Sequence, residues 1–328
     1  MSEDASQTTA VVFGGAGFIG THLLRDLVSS KRFRHIISAD MRVPVSKVPG
    51  VEYIACDVRE PISLDRNLDA PEIYNLAAVH TTPGHDDWEY FWTNVSGASN
   101  ICSFAARTNS RCMVFTSSIS TYGASEDPLD EKGPFRPDSA YGRSKLQAEQ
   151  IHRLWKQGDA ARRLIIVRPA VIFGPGENGN FTRLAKLLRT RLFFYPGRKT
   201  TVKACGYVGE LVRSILFMRD LRQDEVTYNF AYPQRSTTED ICVAFHQVAG
   251  FKRPLFVIPL WLMLCGSFAF EVLAKLGLRT SINRSRILKL VHSTNIMPTK
   301  LLEAGYVFET DLKEGLLRWQ KESGNDFV

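Results

Sequence analysis

The stretch that most constrains this chain is residues 11–20, Val-Val-Phe-Gly-Gly-Ala-Gly-Phe-Ile-Gly, with glycines at 14, 17 and 20. A β-branched apolar run (residues 9–13) leads into it and a segment of helical spacing (residues 18–28) leads out. A strand turning through glycines straight into a helix is the geometry of a dinucleotide-binding turn. Gly14 permits the sharp exit from the strand, Gly17 lets backbone N–H groups approach a diphosphate, and Gly20 lets the helix pack close on the sheet. A chain that opens this way is committed to parallel strands joined by helical crossovers.

The rest of the first half agrees. Short apolar runs recur at residues 36–40, 51–56, 73–78, 112–115 and 164–167, separated by helical stretches. The expected class is α/β, a Rossmann-type, doubly wound parallel sheet covered on both faces. Beyond about residue 175 helical patterns dominate, at residues 181–192, 209–219, 238–249 and 312–322. Ser236 and Glu239 have the spacing of a capping box before the third of these. The expected organisation is a dinucleotide-binding domain over residues 1–175 and a smaller, mostly helical substrate-binding lobe over residues 176–328. No polar linker divides them, so the two are expected to exchange segments.

Composition narrows the classes further. Six cysteines, none spaced as C-x2-C or beside a histidine at ligand spacing, argue for reduced thiols and against a zinc site. Lys and Arg outnumber Asp and Glu 41 to 34, but the cations are scattered, so a solvated surface is expected and no nucleic-acid partner. The acidic, polar first ten residues are wrong for a targeting peptide, which points to a cytoplasmic protein. Residues 255–270 carry no charge over sixteen positions. A spanning helix needs about 20 apolar residues, and Pro259 and Gly266 interrupt this run, so no span is expected. A buried helix of the second lobe is the expectation, with contact to one membrane leaflet as the second reading.

Three further groups carry chemistry. Asp40 ends the second apolar run, 20 residues after Gly20, where a carboxylate accepts both ribose hydroxyls of NAD and repels the 2′-phosphate of NADP. Arg42 nearby argues the other way, and NAD is favoured. Asp57 closes the third run and reads either as an adenine-edge residue or as a turn cap. Tyr141 and Lys145 are four apart, hence on one helical face, where an ammonium is expected to lower the phenol's pKa from about 10. Ser118 follows the run at 112–115, on the side of the sheet where such folds bind ligands, and can orient a substrate hydroxyl or carbonyl. His80 and His85 lack the partners a metal needs. A loop near the nicotinamide, lined by His80, is the preferred reading, and no metal is expected.

Taken in order, these motifs resemble the extended short-chain dehydrogenase/reductases, in the NAD-dependent nucleotide-sugar epimerase/dehydratase branch. The resemblance runs over residues 9–220. It rests on GGAGFIG at 14–20, NLAA at 75–78, Asn94 in TNVSGA, TSSISTYG at 116–123, YGRSK at 141–145 and RPAVIFGPG at 168–176. It implies Ser118, Tyr141 and Lys145 as the catalytic trio. It implies a cofactor site lined by Gly14, Gly17, Phe18, Ile19, Gly20, Asp40, Asp57, Val58, Leu76, Ala77, Ala78, Asn94, Tyr141, Lys145 and Pro169. The substrate side would be formed by His80, Ser118, Ser120, Asn178, Asn180, Phe181, Arg183 and Lys203, with the diphosphate near the start of the helix after Asn180. Arg198 is a further cation in reach of it, and for each cation singly a surface role is the competing reading. A homodimer is likewise implied.

One departure bears on the reaction. Sugar dehydratases of this branch carry an Asp-Glu pair directly after the Ser or Thr of the TSS motif, where this chain has Ile119 and Ser120. Elimination then lacks its acid and base. Hydride chemistry at one carbon remains: 4-epimerisation with recycled NAD, or net oxidation or reduction of a hydroxyl or ketone, as in a 4-ketoreductase, in polysaccharide or lipopolysaccharide precursor synthesis. Ser-Ile at 118–119 and the apolar 255–270 stretch also fit a hydroxysteroid or lipid alcohol dehydrogenase of the same superfamily. A non-catalytic dinucleotide-binding protein is a third reading, against which the intact trio argues.

Overall fold

A computed structural model of the chain describes residues 9–64, 68–81, 84–265, 288 and 290–328. At its centre β1 (Thr9–Phe13) pairs in parallel with β2 (His35–Asp40) on one side and β4 (Glu72–Asn75) on the other. β3 (Glu52–Ala55) lies outside β2; β5 (Cys112–Thr116), β7 (Arg163–Pro169) and β11 (Glu225–Phe230) follow outside β4. The order is β11-β7-β5-β4-β1-β2-β3, every neighbouring pair parallel. The chain winds outward in both directions from β1 and β4, so a crevice opens at their carboxyl ends.

Alternate residues of each central strand enter two cores, which is why these strands read as unbroken apolar runs. Val11, Phe13, Ile73, Met113 and Phe115 point to one face. There α3 (Gly97–Arg107) packs on α4 (Ala140–Gln157), with Ile101, Phe104, Ala148 and Trp155 inward. Ala10, Val12, Tyr74, Val114 and Ile165 point to the other, beneath α1 (Phe18–Ser30) and α6 (Val208–Asp220). α2 (Asp87–Phe91) runs through a π-helical turn, Trp92–Ser96, into α3.

The run expected at 73–78 leaves the sheet after Asn75, whose side-chain oxygen accepts the Ala77 N–H and turns the chain into the crevice. β11 is a strand the periodicity does not announce. Its polar residues are buried in specific bonds: Thr227 accepts from Arg153, and Asn229 accepts from Tyr122 and donates to the Met297 carbonyl. Residues 208–230 thus return to the main sheet as α6 and β11.

The remaining elements form a lobe over the crevice. They include α5 (Asn180–Arg189), α7 (Thr238–Ala249) and a last helix, Leu312–Ser323, packed on α7. Three short parallel pairs join them: β8 (Val171–Phe173) with β10 (Cys205–Tyr207), β9 (Tyr195–Pro196) with β12 (Val257–Ile258), and β6 (Ser125–Leu129) with β13 (Thr294–Ile296). The capping box of α7 sits one residue later than its sequence spacing suggests. Thr237 accepts from the Asp240 N–H and Asp240 accepts from the Thr237 N–H, because Ser236 is held upstream by the Gln234 carbonyl and faces away.

The buried helix expected over residues 255–270 is not what the described part forms. Leu255, Phe256 and Trp261 are 77%, 75% and 66% exposed, and β12 pairs with β9 at the edge of a two-stranded sheet. Residues 266–270 lie outside the described residues. No described helix is long and apolar enough to cross a membrane.

Candidate active site

The loop after β1 fits a dinucleotide. Gly14 takes a φ of +82°, and a Cβ there would lie 2.7 Å from the Ala77 nitrogen, so the loop passes directly against the segment leaving β4. A Cβ on Gly20 would come within 2.4 Å of the Gly14 carbonyl oxygen, so only glycine lets α1 sit this close. α1 starts at Gly17 with no side-chain cap and no acid in its first turn, leaving its first N–H groups for an anion. Asp40 stands beside it, 8% exposed at the side chain, accepting from the Ala16 and Arg42 N–H groups, one on each oxygen. Each oxygen keeps a lone pair for a ribose hydroxyl. The Arg42 guanidinium is 66% exposed and lies 3.7 Å from that carboxylate.

Past the end of β5, Ser118 and Tyr141 stand together, and Lys145 lies one helical turn further along α4. α4 begins at Ala140, capped by the Ser139 hydroxyl on the Gly142 N–H, so Tyr141 stands in its first turn and Lys145 one turn on. The Ser118 hydroxyl hydrogen-bonds the Tyr141 phenol and itself accepts the Ser120 N–H and donates to the Ser120 hydroxyl. Lys145 is 2% exposed and donates to the Thr116 carbonyl over 2.8 Å, its ammonium above the Phe115 ring. His80, on the exposed loop nearby, has its pKa lowered by desolvation and then by the charges of Lys145 and Arg42.

The electrostatics reverse one expectation. The neighbouring ammonium does not make the phenol acidic. Burial pushes Tyr141 up to about 12, against the pull of the Ser118 hydrogen bond, and the same burial pushes Lys145 down to about 7, against the pull of Glu149. Both shifts favour the neutral pair, because desolvation penalises each charged form more than the neighbours repay.

Several residues implied for the site are engaged inside the protein. Asn94 is 3% exposed, with its amide on both backbone groups of Val79 and on the Ser144 hydroxyl, so it holds the loop rather than facing the crevice. Asp57 closes a turn onto the Arg59 N–H and pairs with the Arg59 guanidinium. Val58 is buried against Gly97, with its carbonyl on Asn100. Pro169 ends β7, and Phe18 and Ile19 lean on the core beneath α1. Leu76 and Ala77 meet Gly14, and Ala78 follows them.

On the substrate side, Phe181 stacks on Phe173 at 4.6 Å in the core, so its ring does not line the cleft. Asn178, Asn180 and Arg183 are exposed. The start of α5 already holds an anion: the buried Glu177 carboxylate accepts the N–H and hydroxyl of Thr182. Arg198 pairs with Glu126 and donates to the Ser293 hydroxyl; Lys203 donates to the His292 carbonyl, with burial pushing its pKa down to about 8. Among the described residues, no group of three or more His, Cys, Asp or Glu side chains could hold a metal ion.

The sequence reading passed over a buried network behind the trio. Glu149, fully buried, accepts from Ser117 and from two Arg168 nitrogens, and Arg168 also donates to the Tyr122 hydroxyl. Burial raises the Glu149 pKa, and the Arg168 hydrogen bonds and charge outweigh it and hold it low. The Tyr141-Lys145-Glu149 spacing, one residue per helical turn, is the signal that could have found it. His152 continues the row, bonded to the Ala148 carbonyl and to Asn75, which orients Ala77.

Comparisons with known proteins place the chain in a family and support its fold. The family described as "Epimerase: NAD dependent epimerase/dehydratase family" matches residues 10–231, more than half of the chain. The N-acetyl-alpha-D-glucosaminyl-diphospho-ditrans,octacis-undecaprenol 4-epimerase of Escherichia coli O157:H7 is 28% identical over 94% of this chain and 93% of its own. Sterol demethylase protein B of Methylococcus capsulatus is 26% identical over 78% and 79%. Among solved structures, the UDP-glucose 4-epimerase of Thermus thermophilus in complex with NAD superposes with a TM-score of 0.75 at 20% identity, covering 96% of this chain and 98% of that one, a likeness of fold.

Proposed function

Since the chain belongs to the NAD-dependent epimerase/dehydratase family, we propose that it is a 4-epimerase of a diphosphate-linked sugar, with NAD as its cofactor and Ser118, Tyr141 and Lys145 as its catalytic residues. The observation that carries this is the placement of Ser118, Tyr141 and an anchored Lys145 past the carboxyl end of β5, with the Tyr141 phenol in reach of the Ser118 hydroxyl and one helical turn from Lys145. The Gly14–Gly20 loop, the uncapped start of α1 and Asp40 would hold the dinucleotide. NAD, when bound, accepts hydride from an alcohol carbon and returns it.

The chain's own residues handle the proton. Ser118 accepts or donates a hydrogen bond to the sugar hydroxyl and fixes it against the phenol oxygen. Tyr141 takes the hydroxyl proton as the alcohol becomes a ketone and gives it back in the reverse step. In the free protein the phenol is protonated and Lys145 is close to neutrality, so the base form of Tyr141 requires added positive charge beside it. Ile119 is buried with Ala204 and Ile296, and supplies no acid for elimination. In this reading residues 1–175 serve the cofactor and residues 176–328 the substrate, apart from α6 and β11, which complete the sheet.

The likeness to the E. coli O157:H7 protein supports a 4-epimerisation and a polysaccharide-precursor role, with a polyprenyl or a nucleoside diphosphate as carrier of the sugar. The likeness to sterol demethylase protein B favours a second reading, a lipid alcohol dehydrogenase. The two separate on NADH: an epimerase releases none, whereas a dehydrogenase accumulates it in proportion to product. Tyr141→Phe should lower kcat by about 10²- to 10⁴-fold, the usual size of general acid–base catalysis, while NAD still raises the Tm. Full turnover by this variant would refute the assignment.

A further inference from the structure

The lobe carries an apolar face that the proposed chemistry does not use. β12 pairs with β9, with the Tyr195 N–H on the Phe256 carbonyl and the Gly197 N–H on the Ile258 carbonyl. That register brings Leu255, Phe256 and Val257 beside Leu192 and Phe194, all exposed. Trp261 and Leu262, also exposed, follow on the helical turn that starts at Leu260, and Gly197 ties this turn to Val291. The result is one continuous patch of large apolar side chains, not the scattered ones of an ordinary surface.

Its charge setting selects what covers it. Lys252 and Arg253, both exposed, directly precede the patch. Residues 252–289 contain seven Lys or Arg and a single acid, Glu271, although the whole chain has 34 acids in 328 residues. Apolar side chains that include a Trp, flanked by the exposed cations Arg191, Lys252 and Arg253, match the chemistry of a helix or loop lying in an anionic lipid interface.

We propose that residues 192–194 and 255–262 form a docking face that seats the protein on an anionic bilayer, entering one leaflet without crossing it. A shallow open groove beside this face is lined by Leu260 and Val291 and by Glu126, Arg198 and His292. Lys203 reaches the His292 carbonyl, and its neighbour Ala204 packs on Ile119, next to Ser118.

The test uses the full chain and sedimentation with sucrose-loaded vesicles, either phosphatidylcholine alone or with three-tenths phosphatidylglycerol. The parent protein should pellet with the anionic vesicles, weaken as salt rises, and bind neutral vesicles about tenfold less. The double variant Phe256→Glu/Trp261→Glu should lose about tenfold or more on anionic vesicles, with its NAD-induced Tm shift and its turnover of a soluble nucleotide sugar unchanged. A parent that stays in the supernatant with both vesicle types overturns the proposal. So does a double variant that pellets like the parent, or a parent that self-associates in analytical ultracentrifugation until Phe256→Glu/Trp261→Glu dissociates it. Vesicle binding without turnover of any sugar would leave the docking face standing and remove the epimerase reading instead.

Discussion

Lys145 and Tyr141 show how strongly burial governs single side chains here. The tyrosine lies in a site where burial favours its neutral form, and the lysine is held by the Thr116 carbonyl rather than by a full counter-charge. A pH consequence follows. With its folded pKa near 7 against 10.5 unfolded, Lys145 binds fewer protons when folded across that window, so it penalises folding fully below pH 7 and progressively less toward pH 10. Lys145→Met should therefore raise the Tm over the parent at pH 6, with the gap narrowing as pH climbs; a gap constant with pH would contradict the assigned shift. Neither shift was legible beforehand. The four-residue spacing places the two groups on one face, but only the packing around them says how much water they lose.

At the level of elements, helix starts separate two roles that look alike in sequence. α1 opens uncapped after three glycines and offers its N–H groups to a ligand. α5 opens with the Glu177 carboxylate on Thr182, so its N-terminal charge is already answered from within the chain. The amides of Asn178 and Asn180 suggest a phosphate site there; the glutamate just before them, buried in the structure, already occupies the helix start. α7 gives a sharper test of register. Thr237→Ala should cost about 1 kcal/mol, read as a lower midpoint in urea, because it removes the cap on Asp240. Ser236→Ala should cost a few tenths at most, since its hydroxyl reaches only the Gln234 carbonyl at 3.5 Å. Equal losses at both positions would return the cap to Ser236.

Across the whole molecule, one buried chain of bonds ties the sheet to the lobe. Glu149 on α4 pairs with Arg168 on β7, Arg168 reaches Tyr122, and Tyr122 reaches Asn229 on β11, which donates to Met297 beyond β13. Glu149→Leu would leave the Arg168 guanidinium, 2% exposed, without its counter-ion, and should destabilise by about 3–5 kcal/mol in equilibrium denaturation. The same network stands directly behind Ser117 and Lys145, so this variant should also disturb turnover; a loss below about 1 kcal/mol would mean water reaches the arginine. By itself the sequence determined the parallel sheet, the dinucleotide turn and the trio, because glycine conformations and helical and strand periods are local properties of neighbouring residues. Which side chains face the crevice, which carboxylate caps which helix, that residues 225–230 rejoin the sheet and that residues 255–262 lie bare were decided only in three dimensions. Each depends on which distant groups meet and on how far water is excluded where they do, and no spacing along the chain records either.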